Sequence, residues 1–251
     1  MRSGNQLYRY NARVRYSEVD TSGKLSPVAL LDYFQDAATF HSEDAGMTLE
    51  MLIENHNAWL LNAWQIDIKR LPYFGTDIVV STFPYGFKGY IGYRNFIMQT
   101  KEGEVLAQAN SIWSFVDTKK MRPVFVTEEM AESFGIEEKL DMDYSDRKIT
   151  LDKDADIITK DSFVIEKHHL DTNSHVNNGQ YVLMALDIAG QDNKLAADNI
   201  VRIRADYRKQ ALLGDIVVPK VYMGKEKAQV ALNDINGKPY ANVEFSLSVS
   251  L

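Results

Sequence analysis

The chain contains two degenerate copies of one sequence block. V-D-T-S-G-K-L-S-P from Val19 aligns with L-D-T-N-S-H-V-N-N from Leu170, so the offset between the two aspartates is 171 − 20 = 151. The match continues downstream, where G-T-D-I-V-V from Gly75 aligns with G-D-I-V-V from Gly214. A repeat at this spacing predicts two like structural units in tandem.

Each copy of the block is followed by apolar residues at helical spacing. The i, i+3, i+4 and i+7 positions are apolar in both copies: Leu30, Tyr33, Phe34 and Ala37, then Tyr181, Met184, Ala185 and Ile188. Ser26-Pro27 supplies an N-cap and a first-turn proline in copy one, and Asn177-Asn178 supplies the cap in copy two. Both copies therefore predict an amphipathic helix directly after the block.

Alternating residues after each helix predict antiparallel strands with one buried face. In copy two the apolar set is Val201, Ile203, Ala205 and Tyr207, and the polar set on the other face is Arg202, Arg204, Asp206 and Arg208. We therefore predict an α+β fold of two tandem units, each with a long helix packed on a curved antiparallel sheet. The predicted boundaries are an N-terminal unit at 1–120, an acidic linker at 121–160 and a C-terminal unit at 161–251.

Composition argues against several classes of protein. The chain has no cysteine, so it can form neither a disulfide framework nor a thiolate zinc site, and it has no thiol nucleophile. Its net charge of −7 argues against a nucleic-acid binder, which normally shows a basic footprint. No segment approaches a membrane span of roughly 20 apolar residues, and residues 1–5 lack the apolar core of a signal peptide. We therefore expect a cytoplasmic protein without membrane insertion.

Asp171, Asn173 and His175 stand at alternate positions immediately before the second predicted helix. In an extended segment their side chains point the same way, which would place a carboxylate, an amide and an imidazole on one face. The start of the helix would add backbone N–H donors suited to a developing negative charge on oxygen. Copy one has Ser22 and Lys24 instead of the amide and the imidazole. Only copy two is therefore expected to hold a reaction centre.

The block in copy two resembles a motif of a known family. L-D-T-N-S-H-V-N-N-G-Q-Y from Leu170 is similar to the L-D-x-N-x-H-V-N-N-x-x-Y block of the acyl-acyl-carrier-protein thioesterases of plants and bacteria. G-E-V-L from Gly103, S-I-W from Ser111 and D-Y-R-K from Asp206 support the resemblance, which spans nearly the whole chain. It implies a double hot-dog fold and hydrolysis of the thioester that joins a fatty acyl chain to the phosphopantetheine of acyl carrier protein. No metal or organic cofactor is expected.

The resemblance carries the family's catalytic Asp, Asn and His onto Asp171, Asn173 and His175. His175 can accept a proton from the attacking water or hydrogen-bond the thioester, while Asn173 holds water or substrate and Asp171 orients its neighbours. Where the family commonly has Glu after Tyr-Arg-Lys, this chain has Gln210, and an amide cannot serve as a general base. We expect Gln210 to position a water for His175. The alternative is that its presence marks a slow enzyme or an acyl binder.

The sequence also contains candidates for contacts with the substrate and with the carrier. The candidates for contacts with the acyl substrate are Asn177, Asn178, Tyr33 and Phe34. The candidates for contacts with the carrier protein are Arg202, Arg204, Arg208 and Lys209. Each set also fits an ordinary structural role, because apolar residues at helical spacing pack in cores and charged residues mostly stay solvated.

Two other functions stay open at the level of the sequence. One is hydrolysis of acyl-coenzyme A, and the other is a non-catalytic sensor of acyl chains. The preferred acyl length and unsaturation depend on pocket depth, which periodicity does not determine. The oligomeric state is also open, with a homodimer among the alternatives.

Overall fold

The chain divides into two compact units. The computed structural model of the protein describes residues 7–171, 173–191 and 197–248. Unit 1 comprises Met1–Asn62 and Lys69–Ser145, and unit 2 comprises Ala63–Ile68 and Asp146–Leu251. The segment 121–160, for which the sequence predicts a linker, is thus shared between the two units.

Unit 1 combines one long helix with antiparallel strands. Its elements in chain order are β1 (Tyr8–Arg13), α1 (Pro27–Asp44), α2 (Leu49–Glu54), β2 (Asn57–Ile68, whose residues 63–68 belong to unit 2), β3 (Asp77–Lys88), β4 (Ile91–Thr100), β5 (Val105–Asp117), β6 (Arg122–Pro123) and α3 (Glu128–Phe134). The strands lie in the order β1-β3-β4-β5-β2, and β6 pairs with β5.

Helix α1 begins where the sequence predicts. The Ser26 hydroxyl accepts a hydrogen bond from the Ala29 N–H at 3.1 Å, and Pro27 occupies the first turn. The four predicted core positions of this helix are all buried. Phe34 packs on Phe96 of β4 with ring centroids 5.3 Å apart. The core of unit 1 therefore lies between α1 and the sheet, and burial of a large apolar side chain such as Leu30 or Phe34 contributes roughly 1.5–3 kcal/mol.

Unit 2 repeats this arrangement. Its remaining elements are β7 (Asp156–Thr159), β8 (Phe163–Val164), α4 (Asn178–Gly190), β9 (Ile200–Tyr207), β10 (Ile216–Met223), β11 (Lys227–Asn233) and β12 (Pro239–Leu247). The strand order is β2-β9-β12-β11-β10-β7, with residues 63–67 of β2 paired to β9 and with β8 paired to β10. Helix α4 packs against β10, β11 and β12. The predicted α+β fold, with one long helix on an antiparallel sheet in each unit, is confirmed.

The polar side of β9 is less solvated than alternation predicts. Residues 146–152 run across it and bond to its side chains and to those of β11. Arg204 donates to the Asp146 carbonyl at 2.5 Å, and Asp206 accepts from the Ile149 N–H at 3.2 Å. Asp206 is fully buried as a result, whereas Val201, predicted to face the core, is exposed. Among the described residues, no helix is both long enough and apolar enough to cross a membrane.

Candidate active site

The polar block before α4 forms a closed loop. Leu170 and Val176 pair across its base. The Asp171 N–H donates to the His175 carbonyl at 2.8 Å, and the Ser174 N–H donates to the Asp171 carbonyl at 3.1 Å. The prediction of an extended segment was therefore wrong, because these local bonds satisfy backbone groups within the loop itself.

Asp171 organises this loop through its carboxylate. Its Oδ1 atom accepts from the Asn173 N–H at 2.8 Å and, less closely, from the His175 N–H at 3.3 Å. Such an Asx turn fixes the positions from which the amide and the imidazole project. Ser174 has a φ of +61°, in the left-handed region, where a non-glycine residue carries a strain of about 1 kcal/mol.

The loop lies against the segment that follows β9. His175 pairs with Leu212, and the Val176 N–H donates to the Ala211 carbonyl at 3.1 Å. Gln210 immediately precedes Ala211 and is exposed, while His175 is half-buried. The structure therefore brings the segment that carries the predicted amide beside the loop that carries the imidazole.

Two tyrosines join the first turns of α4 to the same segment. The Tyr181 hydroxyl accepts from the Ala211 N–H at 2.9 Å, and the Tyr207 hydroxyl donates to the Asn178 carbonyl at 2.9 Å. Burial raises the pKa of Tyr181 to about 12 and also raises the pKa of Tyr207. Both hydroxyls stay neutral near pH 7 and act as fixed hydrogen-bonding groups. Sequence reasoning missed this role, although both tyrosines stand inside the motifs it identified.

Asn177 begins α4 as predicted. Its side-chain oxygen accepts from the Gly179 N–H at 2.8 Å, and its own N–H donates to the His169 carbonyl at 2.9 Å. The Asn178 carbonyl is the acceptor of the Tyr207 bond. These bonds make both asparagines parts of the helix start, and their contact with substrate stays a prediction.

Tyr33 and Phe34 lie inside unit 1. The Tyr33 hydroxyl donates to Glu18 Oε2 at 2.6 Å, and burial, assisted by Glu18, raises the pKa of Tyr33 to about 12. Phe34 is fully buried. Their burial agrees with a core role, and their contact with an acyl chain stays a prediction.

The four cations predicted to bind a carrier protein each have a carboxylate partner within unit 2. Ion pairing lowers the charge that they offer to an acidic partner, although Arg208 and Lys209 keep exposed surface. Their role in carrier binding stays a prediction. The pairs are Arg202 with Asp67, Arg204 with Glu244, Arg208 with Asp206, and Lys209 with Asp234.

The loop carries an imidazole and an amide, and the adjoining segment carries a second amide, that of Gln210. Histidine is the side chain best suited to proton transfer near neutral pH, and an amide can donate and accept hydrogen bonds at once. Such a set can hold a water molecule and take its proton. Among the described residues, no group of three or more His, Asp or Glu side chains is arranged to hold a metal ion.

Comparison with protein families matches both halves of the chain. The acyl-ACP thioesterase N-terminal domain matches residues 5–134, and the acyl-ACP thioesterase C-terminal domain matches residues 152–244. The chain belongs to the acyl-ACP thioesterase family. The resemblance carried by the block before α4 is confirmed.

Individual family members agree with this assignment. An acyl-[acyl-carrier-protein] hydrolase of Cuphea viscosissima is 23% identical over 217 residues, which cover 81% of this chain and 52% of that protein. The chain thus spans about half the length of the curated relatives it matches. An acyl-ACP thioesterase from Bacteroides thetaiotaomicron superposes with a TM-score of 0.84 at 18% identity, covering 96% of this chain and 97% of that one.

A second solved structure shows the same fold. The 12:0-ACP thioesterase of Umbellularia californica superposes with a TM-score of 0.82 at 19% identity, covering 99% of each chain. These structures are double hot-dogs, so the predicted double hot-dog fold is confirmed for this family member.

Proposed function

We propose that the protein hydrolyses the thioester of a fatty acyl group carried by acyl carrier protein and releases a free fatty acid. The observation that carries the proposal is the loop before α4, in which Asp171 fixes the backbone that presents Asn173 and His175. Membership of the family supports the thioester as the reacting bond. The names of the relatives support the carrier protein as the substrate's other half.

His175 is the proton-transfer residue in this proposal. Its imidazole takes a proton from a water molecule as the water oxygen attacks the thioester carbonyl carbon. The tetrahedral intermediate then collapses, the carbon–sulfur bond breaks, and the imidazolium returns the proton to the departing thiolate. One water and one thioester thus give one carboxylic acid and one thiol. General acid–base catalysis of this kind contributes typically 10²–10⁴-fold in rate.

The two amides complete the site. Asn173 donates to the thioester carbonyl oxygen, where negative charge develops. Gln210 holds the attacking water, since its exposed amide both donates and accepts. Asp171 is a positioning residue, because its carboxylate bonds to the loop's own N–H groups.

Arg208 and Lys209 are the better candidates for contact with the carrier protein. They immediately precede Gln210 and keep exposed surface. Arg202 and Arg204 are less available, because Asp67 and Glu244 hold them within unit 2.

The test compares one acyl chain on two carriers. Purified protein is given the same acyl group on acyl carrier protein and on coenzyme A, and released acid is measured. We expect faster release from the carrier protein and a loss of 10²–10⁴-fold in kcat/KM for His175→Ala. Lys24→Ala is the matched control, because Lys24 occupies the equivalent position in copy one. Unchanged turnover by His175→Ala would exclude the site, and a preference for coenzyme A would reassign the carrier.

One observation favours a second candidate, a non-catalytic sensor of acyl chains. Gln210 places an amide where the family commonly has a carboxylate base. A sensor would bind acyl-carrier protein and release no acid from it at any pH. Binding of a non-hydrolysable acyl-carrier analogue, measured together with acid release, separates the two candidates.

A further inference from the structure

Two turns of unit 1 carry exposed apolar side chains. Tyr90 lies in the turn between β3 and β4, Met121 lies in the turn between β5 and β6, and Phe125 follows β6. Tyr90 is 38% exposed, Met121 is 77% exposed and Phe125 is 74% exposed. Single exposed apolar residues are ordinary on a protein surface, whereas a cluster of them marks a surface that contacts a partner.

Backbone hydrogen bonds hold the two turns side by side. The Val126 N–H donates to the Gly89 carbonyl at 2.9 Å, and the Phe115 N–H donates to the Tyr90 carbonyl at 2.8 Å. The Phe125 ring lies against Gly89, where an added Cβ would be 3.4 Å from it. Segments 88–90 and 117–126 therefore form one continuous surface, which we call the double-turn surface.

Met121 stands at a position that suits another residue better. Its φ is +49°, in the left-handed region where glycine and asparagine are favoured. Asp117 Oδ1 closes the turn by accepting from the N–H groups of Lys119 and Lys120 at 3.0 and 2.8 Å. Met121 thus combines backbone strain with an apolar side chain left in water. Packing within unit 1 explains neither, which points to a function for this side chain.

Four cations surround the exposed apolar side chains. Lys88, Lys119, Lys120 and Arg122 are all exposed. Lys120 lies 3.5 Å from Asp117, which is the only carboxylate in the sequence of the two segments. No carboxylate in the described part of the chain forms an ion pair with the other three cations. The double-turn surface is therefore basic, although the net charge of the chain is −7.

The corresponding turn of unit 2 lacks these features. Strand order makes β10 and β11 the counterparts of β3 and β4. The turn between them consists of Gly224, Lys225 and Glu226, with one exposed charge of each sign and no apolar side chain. The repeated fold thus does not require a basic and apolar turn at this place, and the composition of the turn in unit 1 needs a separate explanation.

We propose that the double-turn surface attaches the protein to an anionic lipid membrane. Tyr90, Met121 and Phe125 enter the headgroup region, where apolar and amphipathic side chains are favoured. The lysines and the arginine bind lipid phosphates through their charged ends, while their apolar stems stay in the interface. The attachment is to the membrane surface, without a spanning segment, and it does not rest on the proposed hydrolysis.

The charge of this surface could also attract an acidic protein, but its composition favours a bilayer. Lysine is depleted in protein–protein interfaces, and three of the four cations are lysines. Clusters of lysine beside exposed apolar side chains are instead typical of surfaces that bind anionic lipid. A fluid lipid layer also accepts side chains from two separate turns without a complementary pocket.

The experiment measures binding of the full chain to lipid vesicles by sedimentation. One set of vesicles is phosphatidylcholine alone, and the other has equal parts of phosphatidylcholine and phosphatidylglycerol. We expect binding to the anionic vesicles only, and weaker binding as salt is added. Lys88→Gln should weaken binding about fivefold, since one cation near an anionic surface contributes about that factor. Equal binding to both kinds of vesicle, or to neither, would overturn the proposal.

A matched lysine in unit 2 tests whether the effect is local. Lys225→Gln changes the net charge by the same amount as Lys88→Gln, but in the counterpart turn, and should leave vesicle binding unchanged. A loss of binding as large as that of Lys88→Gln would show that only the total charge matters, which contradicts a specific surface.

The apolar contribution is tested with Met121→Asn combined with Phe125→Ser. Asparagine tolerates the left-handed backbone and both side chains are exposed, so the melting temperature should stay close to that of the wild type. Binding to anionic vesicles should fall at least about tenfold. A folded double variant that binds as well as the wild type would disprove insertion.

An acidic protein partner gives a different result in the same variants. Acyl carrier protein is offered to the wild type and to Lys88→Gln in the absence of lipid. Carrier binding that Lys88→Gln weakens, together with no binding to anionic vesicles, would assign the double-turn surface to the carrier protein and end the membrane proposal. Because the vesicles contain no thioester, vesicle binding is decided independently of whether the protein is a hydrolase.

Discussion

The two copies of the repeated block fold into the same loop with different side chains. In copy one, Asp20 Oδ1 accepts from the Ser22 N–H at 2.8 Å and the Lys24 N–H at 3.4 Å, and the Asp20 N–H donates to the Lys24 carbonyl at 2.8 Å. In copy two, Asp171 makes the corresponding three bonds to Asn173 and His175 at 2.8, 3.3 and 2.8 Å. The aspartate therefore specifies the shape of both loops.

The residues that differ between the loops indicate where the chemistry lies. Copy two replaces a serine, a glycine and a lysine of copy one by Asn173, Ser174 and His175. A side chain that both loops share is explained by the folding of the loop. A side chain found in only one loop is not explained by that shared fold and is a candidate for a function. We therefore propose that Asp171 belongs to the scaffold, and that the Asn173 amide and the His175 imidazole take part in the reaction.

The largest expected effect concerns Asp171. Asp171→Ala removes the acceptor for two backbone N–H groups, so the loop no longer holds His175 in place, and kcat/KM should fall about 10²-fold or more. Asp20→Ala removes the same bonds in copy one. Like Asp171→Ala, it should lower the free energy of unfolding by about 1–2 kcal/mol, but the hydrolytic activity should stay unchanged.

Asp171→Asn tests the division between scaffold and chemistry. Asparagine keeps the acceptor oxygen but not the charge, so it should restore most of the activity that alanine removes. If the asparagine variant were as inactive as the alanine variant, the carboxylate charge would take part in the reaction. The purely structural role that the comparison with Asp20 assigns to Asp171 would then be wrong.

The next largest effect concerns a hydrogen bond to a backbone N–H in copy two whose equivalent in copy one is absent. The Ala211 backbone N–H donates a hydrogen bond to the Tyr181 hydroxyl at 2.9 Å. The equivalent residue of copy one is Pro72, which has no N–H, and the helix position equivalent to Tyr181 holds the apolar Leu30. The equivalence is structural, since the Pro72 carbonyl accepts from the Leu25 N–H at 2.8 Å, as the Ala211 carbonyl accepts from Val176.

Tyr181→Phe should therefore destabilise the protein by about 2 kcal/mol, because it leaves a buried N–H without an acceptor. Adding Ala211→Pro should recover much of this loss, since it removes the unsatisfied donor, as copy one does. The free energy of unfolding of both single variants and the double variant, from urea denaturation, measures the coupling. Purely additive changes in the free energy of unfolding would contradict this explanation. They would show that the hydrogen bond does not account for the occurrence of Tyr181 with Ala211 in copy two and of Leu30 with Pro72 in copy one.

The helix caps that follow these loops could be predicted from the sequence, but the closed shape of the loops could not. Ser26 and Asn177 are recognisable caps, because an N-cap requires one of few side chains at one position. The closed loop is not recognisable, because alternate polar residues also occur in strands, and the bonds from Asp171 to its neighbours leave no separate trace in the pattern. The partner of Arg202 is equally hidden, since Asp67 lies 135 residues away along the chain.

A smaller effect is expected at Gln210. Copy one has the buried Leu71 at the corresponding position, and Gln210 is exposed. If its amide holds the attacking water, Gln210→Leu should lower kcat about tenfold with little change in KM. Gln210→Glu adds a carboxylate with an ordinary pKa near 4.3. Because protonation removes the charge of this group, kcat of the variant should fall as the pH drops below about 5.

The pH profiles of wild type and Gln210→Glu provide the measurement. An unchanged rate in Gln210→Leu would remove Gln210 from the site. A gain of 10²-fold or more in Gln210→Glu would instead indicate that the natural protein lacks a base and acts mainly as an acyl sensor.

The smallest effect concerns the backbone of the two loops. Ser174 has a φ of +61°, and its counterpart Gly23 has a φ of +78°. Because glycine adopts this region without a Cβ clash, Gly23→Ser should destabilise the protein by about 1 kcal/mol, and Ser174→Gly should stabilise it by no more than that. Ser174→Gly should also lower kcat a few-fold, since a glycine between Asn173 and His175 loosens the two groups that must stay aligned. Thermal unfolding and initial rates of both variants measure the two effects. A glycine variant with unchanged activity would show that the strain at Ser174 contributes nothing to positioning, and that the reactive loop differs from the unreactive one in its side chains alone.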